Sequence, residues 1–430
     1  MLSALRSRDF RLLWLSQSAS VIGDGLVIVA TGLFVTRLTG DPGDVGLVLA
    51  AYAVPLVAFV LIGGVLADRL PRQTVMVVTD AVRGVLHGTL ALLIVTGAVR
   101  IWHMVVIGLL FGTAQAFFQP AYTGLVPQTV AESDIQSAQA LGGVSRELAS
   151  FVSPALATVL VLTVGGGAAF GLDAVTFAVS AVMLSRVRTR SRGEASRQPG
   201  GGAGAGGLGS VLGELREGWT AVRERAWVWA TIAAFSASLL VALAPFFVLG
   251  PSVSRHVYGT EAVFGITNTA WGVGTILGAV VGSRWRPRRP MFAGMLASVA
   301  WPGQVALFAL GPPLALLYPV TAVSGFGLGL FGVWWETALA QRIPPHLLSR
   351  VSAWDWMGSL ALLPAGYLLA GPAARWLGDV EVLVGGGLIG LTAFALGLLP
   401  ASTRRLTRID APTSPRGDQG IPTDQGIRHP

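Results

Sequence analysis

The sequence contains no cysteine and no lysine. Without cysteine it has no disulfide framework, no thiolate metal ligand and no cysteine nucleophile. Without lysine it can form neither a Walker A phosphate loop nor a pyridoxal Schiff base, because both need a lysine amine. Any energy source is therefore expected to be an ion gradient rather than ATP bound to this chain.

Charged residues are also scarce, at 12% of 430 residues, while hydrophobic residues make up 53% and the mean hydropathy is +0.65. A soluble chain carries about 25% charged residues, so the composition indicates an integral membrane protein. The histidines are scattered, and neither an HExxH nor a GxSxG motif occurs. We expect no enzyme activity, no cofactor and no bound metal ion.

Apolar runs long enough to cross a bilayer, about 20 residues each, occur twelve times. The predicted fold class is therefore an all-α integral membrane protein with twelve transmembrane helices. The predicted spans are 12–36, 44–67, 74–97, 101–122, 136–163, 166–186, 228–252, 262–283, 291–311, 314–340, 351–371 and 380–400.

Arginine orients these spans, because basic residues accumulate in cytoplasmic loops. With the N-terminus inside, 24 of the 30 basic residues lie inside, 4 lie outside and 2 lie within spans. Both termini are therefore predicted to be cytoplasmic in a multi-pass protein of the plasma (inner) membrane. This distribution explains the net charge of +8 as a topology signal, so nucleic acid is not an expected partner.

Composition divides the chain into four predicted parts. A six-helix half at 1–187 is followed by a cytoplasmic linker at 188–227, a second six-helix half at 228–400 and a tail at 401–430. The linker combines a glycine-rich stretch with a predicted amphipathic surface helix at 210–227. The tail is polar and rich in proline and glycine, so it is predicted to be disordered.

The two halves echo each other. AFFQPAYTGLVP (116–127) matches VWWETALAQRIP (333–344) at a shift of 217 positions, and GGVLADRLPRQ (63–73) matches GAVVGSRWRPRR (278–289) at a shift of 215. Two related six-span halves joined by a linker are typical of transporters whose binding site lies between the halves near the membrane midplane.

GVLADRLPRQ (64–73) resembles the G-x-L-A-D-R-x-G-R-[KR] loop of the major facilitator superfamily, with Pro71 and Gln73 as departures. SxxGD at 20–24, FFQPA at 117–121 and DAVTFAVSA at 173–181 resemble its drug:proton antiporter branch, which contains macrolide and tetracycline efflux pumps and the enterobactin exporter. The resemblance covers about residues 5–400. It implies the major facilitator fold, a bacterial membrane and the export of a small molecule.

The loop motif supplies a predicted gate, made of Gly64, Asp68, Arg69 and Arg72. Gly64 allows close helix approach, and Asp68 can accept hydrogen bonds from the N-terminus of a helix. The resemblance implies that this helix is span eleven, near residues 349–352, and that the contact closes the inner gate. The arginines can pair with acids or lipid phosphates, with a simple topology anchor as the alternative.

Charges inside the spans are candidates for function, because an ionised side chain at the bilayer centre costs about 3 kcal/mol. Asp24, about midway along span one, is the first proton-coupling candidate, with a structural hydrogen bond as the alternative. Asp80 and Arg83 lie on one helical face, and a structural ion pair is the favoured interpretation. The alternative gives them a coupling role, with Arg83 replacing the fourth-span arginine of related antiporters.

The substrate cavity is predicted to combine charged and aromatic side chains. An acid beside aromatic rings suits a lipophilic cation through charge and cation–π attraction, whereas an interfacial aromatic belt with a solvated acid is the alternative. The candidates are Asp24, Arg146, Phe117, Phe118, Gln119, Trp334, Trp335 and Glu336.

The leading functional hypothesis is a secondary active transporter that exports a small hydrophobic compound, such as a drug, antibiotic or siderophore-like metabolite, against inward proton flow. The alternative is a proton-coupled uptake symporter for a small nutrient, which the scarcity of amides in the spans disfavours. A membrane-embedded enzyme or a passive channel fits less well. The expected partners are the substrate, protons and the lipid bilayer, and the chain is expected to be a monomer.

Overall fold

The computed structural model of the protein describes residues 3–188 and 208–407. The side chains outside this description are those of residues 60–69, 132, 136, 208–212, 214–215, 345–346 and 349. Within the described ranges, all regular elements are helices.

The first half of the chain forms six helices in succession. They are α1 (Arg8–Thr39), α2 (Pro42–Arg69), α3 (Arg72–Val95), α4 (Ile101–Thr129), α5 (Ile135–Thr163) and α6 (Gly166–Ser185). Short 3₁₀ turns occupy Ser3–Arg6 and Glu132–Asp134. Helices α1 to α6 are spans 1 to 6.

The second half follows the helix α7 (Leu208–Arg223). Its helices are α8 (Ala226–Ser238), α9 (Ala244–Tyr258), α10 (Ala262–Arg284), α11 (Pro290–Ser298), α12 (Ala300–Ala309), α13 (Leu314–Arg342), α14 (Pro345–Leu360), α15 (Leu363–Leu377), α16 (Asp379–Gly397) and α17 (Ala401–Arg405). Spans 7, 9 and 11 are the pairs α8–α9, α11–α12 and α14–α15, and spans 8, 10 and 12 are α10, α13 and α16.

Twelve helical segments of the described chain are long and apolar enough to cross a membrane, so the prediction of an all-α protein with twelve spans is confirmed. Local signals set their ends. Helix α1 begins where the Ser7 hydroxyl accepts a 3.3 Å hydrogen bond from the Phe10 amide, and it ends at Gly40, whose φ is 71°. An N-cap serine and a left-handed glycine are the usual helix boundaries.

Three spans of the second half are interrupted, and proline lies close to each interruption. A π turn at Leu239–Leu243 precedes Pro245, the break at Val299 precedes Pro302, and the break before α15 precedes Pro364. Proline has no amide hydrogen and its ring clashes with the preceding helical turn, so it disrupts a regular helix.

The bundle has two ends, which we name by their loops. The terminal end carries residues 3–7 and 401–407, and the distal end carries the loops at residues 40–41, 96–100, 164–165, 259–261, 310–313 and 378. Buried apolar side chains of both halves form one continuous core toward the distal end. Toward the terminal end they form two separate cores, one in each half. Among the described side chains, the halves therefore share one apolar core at the distal end and have separate apolar cores at the terminal end.

Glycine permits the close distal contact between the halves. Gly46 of α2 lies against the Tyr367 carbonyl of α15, and Gly371 of α15 lies against the backbone of Gly43. A Cβ atom at either Gly46 or Gly371 would overlap the opposing backbone. This packing closes the distal end of the bundle.

Two helices of the terminal end lie outside the spans. Helix α7, in the region predicted to be amphipathic, packs on α14, where Arg350 bonds to Glu217 and the rings of Trp219 and Trp354 lie 5.0 Å apart. Residues 401–405, inside the predicted polar tail, form α17. Residues 189–207 and 408–430, which hold the glycine-rich stretch and the rest of that tail, lie outside the described residues.

Candidate functional site

Helix α3 carries three polar residues on one face, namely Asp80, Arg83 and His87, at positions i, i+3 and i+7. All three are 0% exposed. A buried charge is very unfavourable unless it is paired and hydrogen-bonded. The partners of these three side chains therefore define the site.

Arg83 lies at the centre of the site. Its guanidinium donates to the Asp80 carboxylate and to the Gln115 side-chain oxygen of α4, and its Nη1 lies 3.6 Å from Oδ2 of Asp24 on α1. Its Cζ atom lies 4.2 Å from the ring centroid of Phe118 and 4.3 Å from that of Phe177. Arg83 thus connects four helices through charge and cation–π contacts.

Asp80 has a second partner on α6. The Ser180 hydroxyl donates to its Oδ2 at 2.5 Å, while Oδ1 accepts from Arg83. Both carboxylate oxygens are therefore hydrogen-bonded, which satisfies a group that has no contact with solvent.

His87 forms a second buried pair. Its Nδ1 lies 2.5 Å from Oδ2 of Asp173 on α6, and its Nε2 lies 3.1 Å from the Tyr52 hydroxyl on α2. The imidazole stacks on Phe111 with ring centroids 4.3 Å apart. Because both ring nitrogens have partners, the ring orientation is fixed.

The two pairs meet at α1 beside Asp24. Gly23 packs against the Asp173 carboxylate so closely that a Cβ atom there would overlap it. Asp24 differs from the other acids of the site because its side chain is 26% exposed, whereas Asp80 and Asp173 are 0% exposed. We call Asp24, Asp80, Arg83, His87 and Asp173 the charged network.

A second charged cluster joins the halves at the distal end. Glu261, only 4% exposed, accepts a 2.5 Å hydrogen bond from Nε of Arg37 in the first half and another from Arg255 in the second half. Arg37 also donates to the Val161 carbonyl at 3.2 Å. The charged network lies entirely within the first half. The distal cluster, by contrast, connects the first half to the second through Arg37 and Glu261.

Comparison with known families decides what this architecture is. The family model described as Major Facilitator Superfamily matches residues 13–359. The chain belongs to the Major Facilitator Superfamily. It is therefore a membrane transporter of small molecules and not an enzyme.

Related members of the superfamily include two kinds of named pump. The chain is 27% identical over 409 residues to the multidrug efflux pump Tap of Mycolicibacterium fortuitum, covering 91% of this chain and 95% of that one. It is 21% identical to macrolide efflux protein A of Streptococcus pyogenes, with coverage of 86% and 90%. These relatives are bacterial, and the chain is a bacterial membrane protein.

Solved superfamily structures share the fold. The nucleoside transporter NupG matches with a TM-score of 0.68 at 13% identity, over 91% of this chain and all of that one. A bacterial homolog of the human lysosomal transporter Spinster, in an inward-facing and unoccupied conformation, matches with a TM-score of 0.65 over 93% and 96%. At 13% identity, these likenesses establish the major facilitator fold.

In this superfamily member, the three predicted proton-coupling candidates lie together. Asp24, Asp80 and Arg83 are neighbours in the charged network, and the Asp80–Arg83 ion pair that the sequence favoured is present. The structure places Asp24 beside that pair, and a coupling role for these residues stays a prediction.

The predicted cavity residues of the first half occupy different surroundings. Phe118 is buried against Arg83, and Phe117 is half-buried. Gln119 and Arg146 line a small pocket of about 30 Å³ between α1, α4 and α5, together with Trp14, Gln17, Val21, Tyr122, Gly142 and Ser145.

The predicted cavity residues of the second half are separated from one another. Trp334 is held against α10, where its Nε1 donates to the Trp285 carbonyl at 3.0 Å. Trp335 is buried and donates to Oδ2 of Asp355 at 2.8 Å, whereas Glu336 is exposed. Adjacent positions on one helix therefore face different surroundings.

The predicted gate is described only in part. The side chains of Asp68 and Arg69 and the packing of Gly64 lie outside the description. Arg72 donates to the Gly124 carbonyl of α4 at 2.6 Å and packs on Gly124 itself. Gln73, a departure from the family loop, donates to the carbonyls of Leu184 and Val187 at 2.8 and 2.7 Å. This part of the loop is thus tied to α4 and to the end of α6.

Sequence reasoning missed His87, Tyr52, Gln115 and Ser180. The spacing of Asp80, Arg83 and His87 on one face of α3 was a usable signal for the histidine. The others are single polar residues in apolar helices, and only their packing identifies them. Within residues 3–188 and 208–407, no group of three or more histidine, aspartate or glutamate side chains is placed so that it could hold a metal ion.

Proposed function

We propose that the protein is a proton-coupled exporter of small hydrophobic compounds that works by alternating access, with its terminal end in the cytoplasm. The names of its relatives, a multidrug efflux pump and a macrolide efflux protein, support export. The arginine-rich loops of the terminal end support the orientation, because such loops stay on the cytoplasmic side.

The exposure of Asp24 carries the proposal of proton coupling. The charged network holds three carboxyl groups, one guanidinium and one imidazole. The acids of the network therefore outnumber its basic groups. Asp80 is bonded to Arg83 and Asp173 to His87, and both acids are fully buried, whereas the Asp24 side chain is 26% exposed. We therefore assign proton exchange with the cavity to Asp24.

The transport cycle follows from this assignment. In this cycle, Asp24 faces the terminal side while the distal end is closed, and there it releases its proton and the substrate binds. Separation of Glu261 from Arg37 lets the halves rock apart distally. Protonation of Asp24 from that side then weakens its attraction to Arg83 and favours release of the substrate.

The proposed substrate surface combines aromatic and polar side chains. Gln119 and Arg146 line a pocket whose other walls include the rings of Trp14 and Tyr122. Aromatic surface with a few well-placed polar groups suits a hydrophobic compound that carries one or two hydrogen-bonding groups. We assign Phe117 and Glu336 to the same surface as weaker candidates.

We also propose the domain organisation given by the sequence. The two six-helix halves are residues 1–187 and 228–400, the linker with its amphipathic helix is residues 188–227, and the tail is residues 401–430. A single copy holds the complete charged network, so we propose that the monomer is the functional unit.

Replacing Asp24 by asparagine is expected to reduce transport to the background level of empty vesicles, because an amide cannot release a proton. The measurement is uptake of a radiolabelled macrolide antibiotic into inverted membrane vesicles with an imposed proton gradient. Wild-type uptake is expected to stop when a protonophore collapses the gradient.

Two control variants accompany this test. Asp24→Glu keeps the carboxyl group and is expected to retain part of the activity, whereas Glu224→Gln removes an exposed carboxylate outside the spans and should behave as wild type. Wild-type uptake that persists without a gradient would refute proton coupling, and gradient-driven uptake by Asp24→Asn would refute the assignment to Asp24.

The loop between α2 and α3 is proposed to act as the inner gate. Asp68→Asn is expected to leave the protein in the membrane but to lower turnover strongly. The reason is that the contact of Asp68 with the N-terminus of span 11 closes the inner gate when the distal end is open. Transport at equal expression is the measurement, and Asp44→Asn in the first turn of the same helix is the control. Transport by Asp68→Asn at the wild-type rate would contradict the gate.

A further inference from the structure

A basic pocket at the terminal end is separate from the charged network. Its volume is about 480 Å³, and it is lined by Arg289, Phe292, Arg404, Arg405 and Thr407. These residues come from the loop before α11, from α11 itself and from α17 with the residues after it. Among the described residues, three guanidinium groups and no carboxylate line the pocket.

The arginines of α17 are held in place by the packing of their helix. Thr403 is fully buried, and Leu406 packs against the apolar core of the second half. Arg404 donates to the Leu399 carbonyl at 3.1 Å, and Arg342 of α13 bonds to the Thr407 carbonyl. The pocket is therefore a built concavity rather than the surface of a loose tail.

The positive charge of the pocket favours an anionic ligand. Three guanidinium groups around one cavity repel one another. Arginine binds phosphate in a bidentate manner, with short charge-assisted hydrogen bonds. The pocket also adjoins the first turn of α11, where free amide groups favour an anion.

Exposed apolar residues beside the pocket favour a lipid as the occupant over a free anion. Phe292 lines the pocket and is 37% exposed, and Leu296, one turn deeper into span 9, is 55% exposed. Residues four apart on a helix share a face, so an exposed apolar strip leads from the arginines toward the bilayer interior. An anionic group joined to an acyl chain satisfies both surfaces.

We propose that this pocket binds the anionic headgroup of a phospholipid in the leaflet at the terminal end, while the acyl chains lie along Phe292 and Leu296. The headgroup bridges Arg289 to Arg404 and Arg405, and it thereby fastens α17 to the start of span 9. The site does not depend on the proposed transport function, because none of its residues belongs to the charged network.

The test measures lipid binding to the delipidated full-length protein in neutral detergent by native mass spectrometry and by thermal unfolding. Dioleoyl phosphatidylglycerol, dioleoyl phosphatidylcholine and inorganic phosphate are added separately. Wild type is expected to retain phosphatidylglycerol in preference to phosphatidylcholine and to unfold at a higher temperature with it. In the single variants Arg289→Gln, Arg404→Gln and Arg405→Gln, the preference should fall about fivefold for each arginine removed.

A triple variant of these positions is expected to bind both lipids equally. The matched control changes Arg6, Arg8 and Arg11, three exposed arginines at the terminal end of the first half, to glutamine and should keep the wild-type preference. The proposal is overturned if the triple variant keeps that preference, if the control loses it equally, or if inorganic phosphate alone stabilises wild type as much as phosphatidylglycerol does. Should the triple variant not fold, the single variants decide by the same criterion.

Discussion

Replacing Arg83 by methionine is expected to destabilise the first half of the protein and to abolish transport. Arg83 is fully buried and holds Asp80, Gln115 and Asp24 around one guanidinium. Methionine keeps much of the side-chain length but leaves the Asp80 carboxylate buried without its cation. Removing one partner of a buried ion pair costs about 3–5 kcal/mol. Thermal unfolding of the purified protein, followed by tryptophan fluorescence, measures the loss.

A double variant separates stability from function at this site. Asp80→Leu combined with Arg83→Met removes both charges, and replacing a buried ion pair by apolar side chains is often neutral for stability. We expect the double variant to regain most of the wild-type unfolding temperature and still to lack proton-driven transport, since Asp24 has lost its cation. Full transport by the double variant would show that the ion pair is only structural, and an Arg83→Met protein as stable as wild type would contradict the packing argument.

Replacing Gly46 by valine is expected to prevent closure of the distal end. The glycine lies against the Tyr367 carbonyl of α15, where a side chain has no space. Overpacking costs about 1–3 kcal/mol, which shifts a two-state equilibrium by about 5- to 150-fold. The variant should therefore favour the distally open conformation and transport poorly, although it folds and inserts normally.

The absence of cysteine makes this shift measurable by double electron–electron resonance. Spin labels at cysteines introduced in place of Asp41 and Arg375, whose side chains approach to 3.5 Å across the halves, should report a short distance in the parent protein and a longer one with Gly46→Val. Gly143→Val is the matched control, because that helical glycine has open space around it. Equal distance distributions in all three proteins would rule out Gly46 as a determinant of closure.

The two predictions concern different parts of the molecule. The charged network lies within the first half, whereas the closure at Gly46 and Glu261 lies between the halves. A proton on Asp24 affects closure only if it changes how the facing surfaces of the halves interact. Glu261 bonds to Arg37 of the first half and to Arg255 of the second half, so any separation of the halves at the distal end must break its bond to Arg37.

The amino-acid sequence is enough to predict the membrane class, the all-α fold, the number of spans and the superfamily. Each depends on averages over about 20 residues or on a contiguous motif such as GVLADRLPRQ, and burial in lipid requires every span to be apolar whatever its neighbours are. The same reasoning identified Asp24, Asp80 and Arg83, since a charge in such a span is conspicuous without any knowledge of packing.

Which of these charges contact one another depends on how the helices pack. His87 and Asp173 lie 86 positions apart and Arg37 and Glu261 lie 224 apart, so no local pattern connects them. Trp334 and Trp335 are adjacent in the sequence, yet one bonds to α10 and the other to Asp355. The physical reason is that hydrophobicity places a helix in the membrane but leaves its rotation open. Close packing at glycines and the pairing of buried charges fix that rotation.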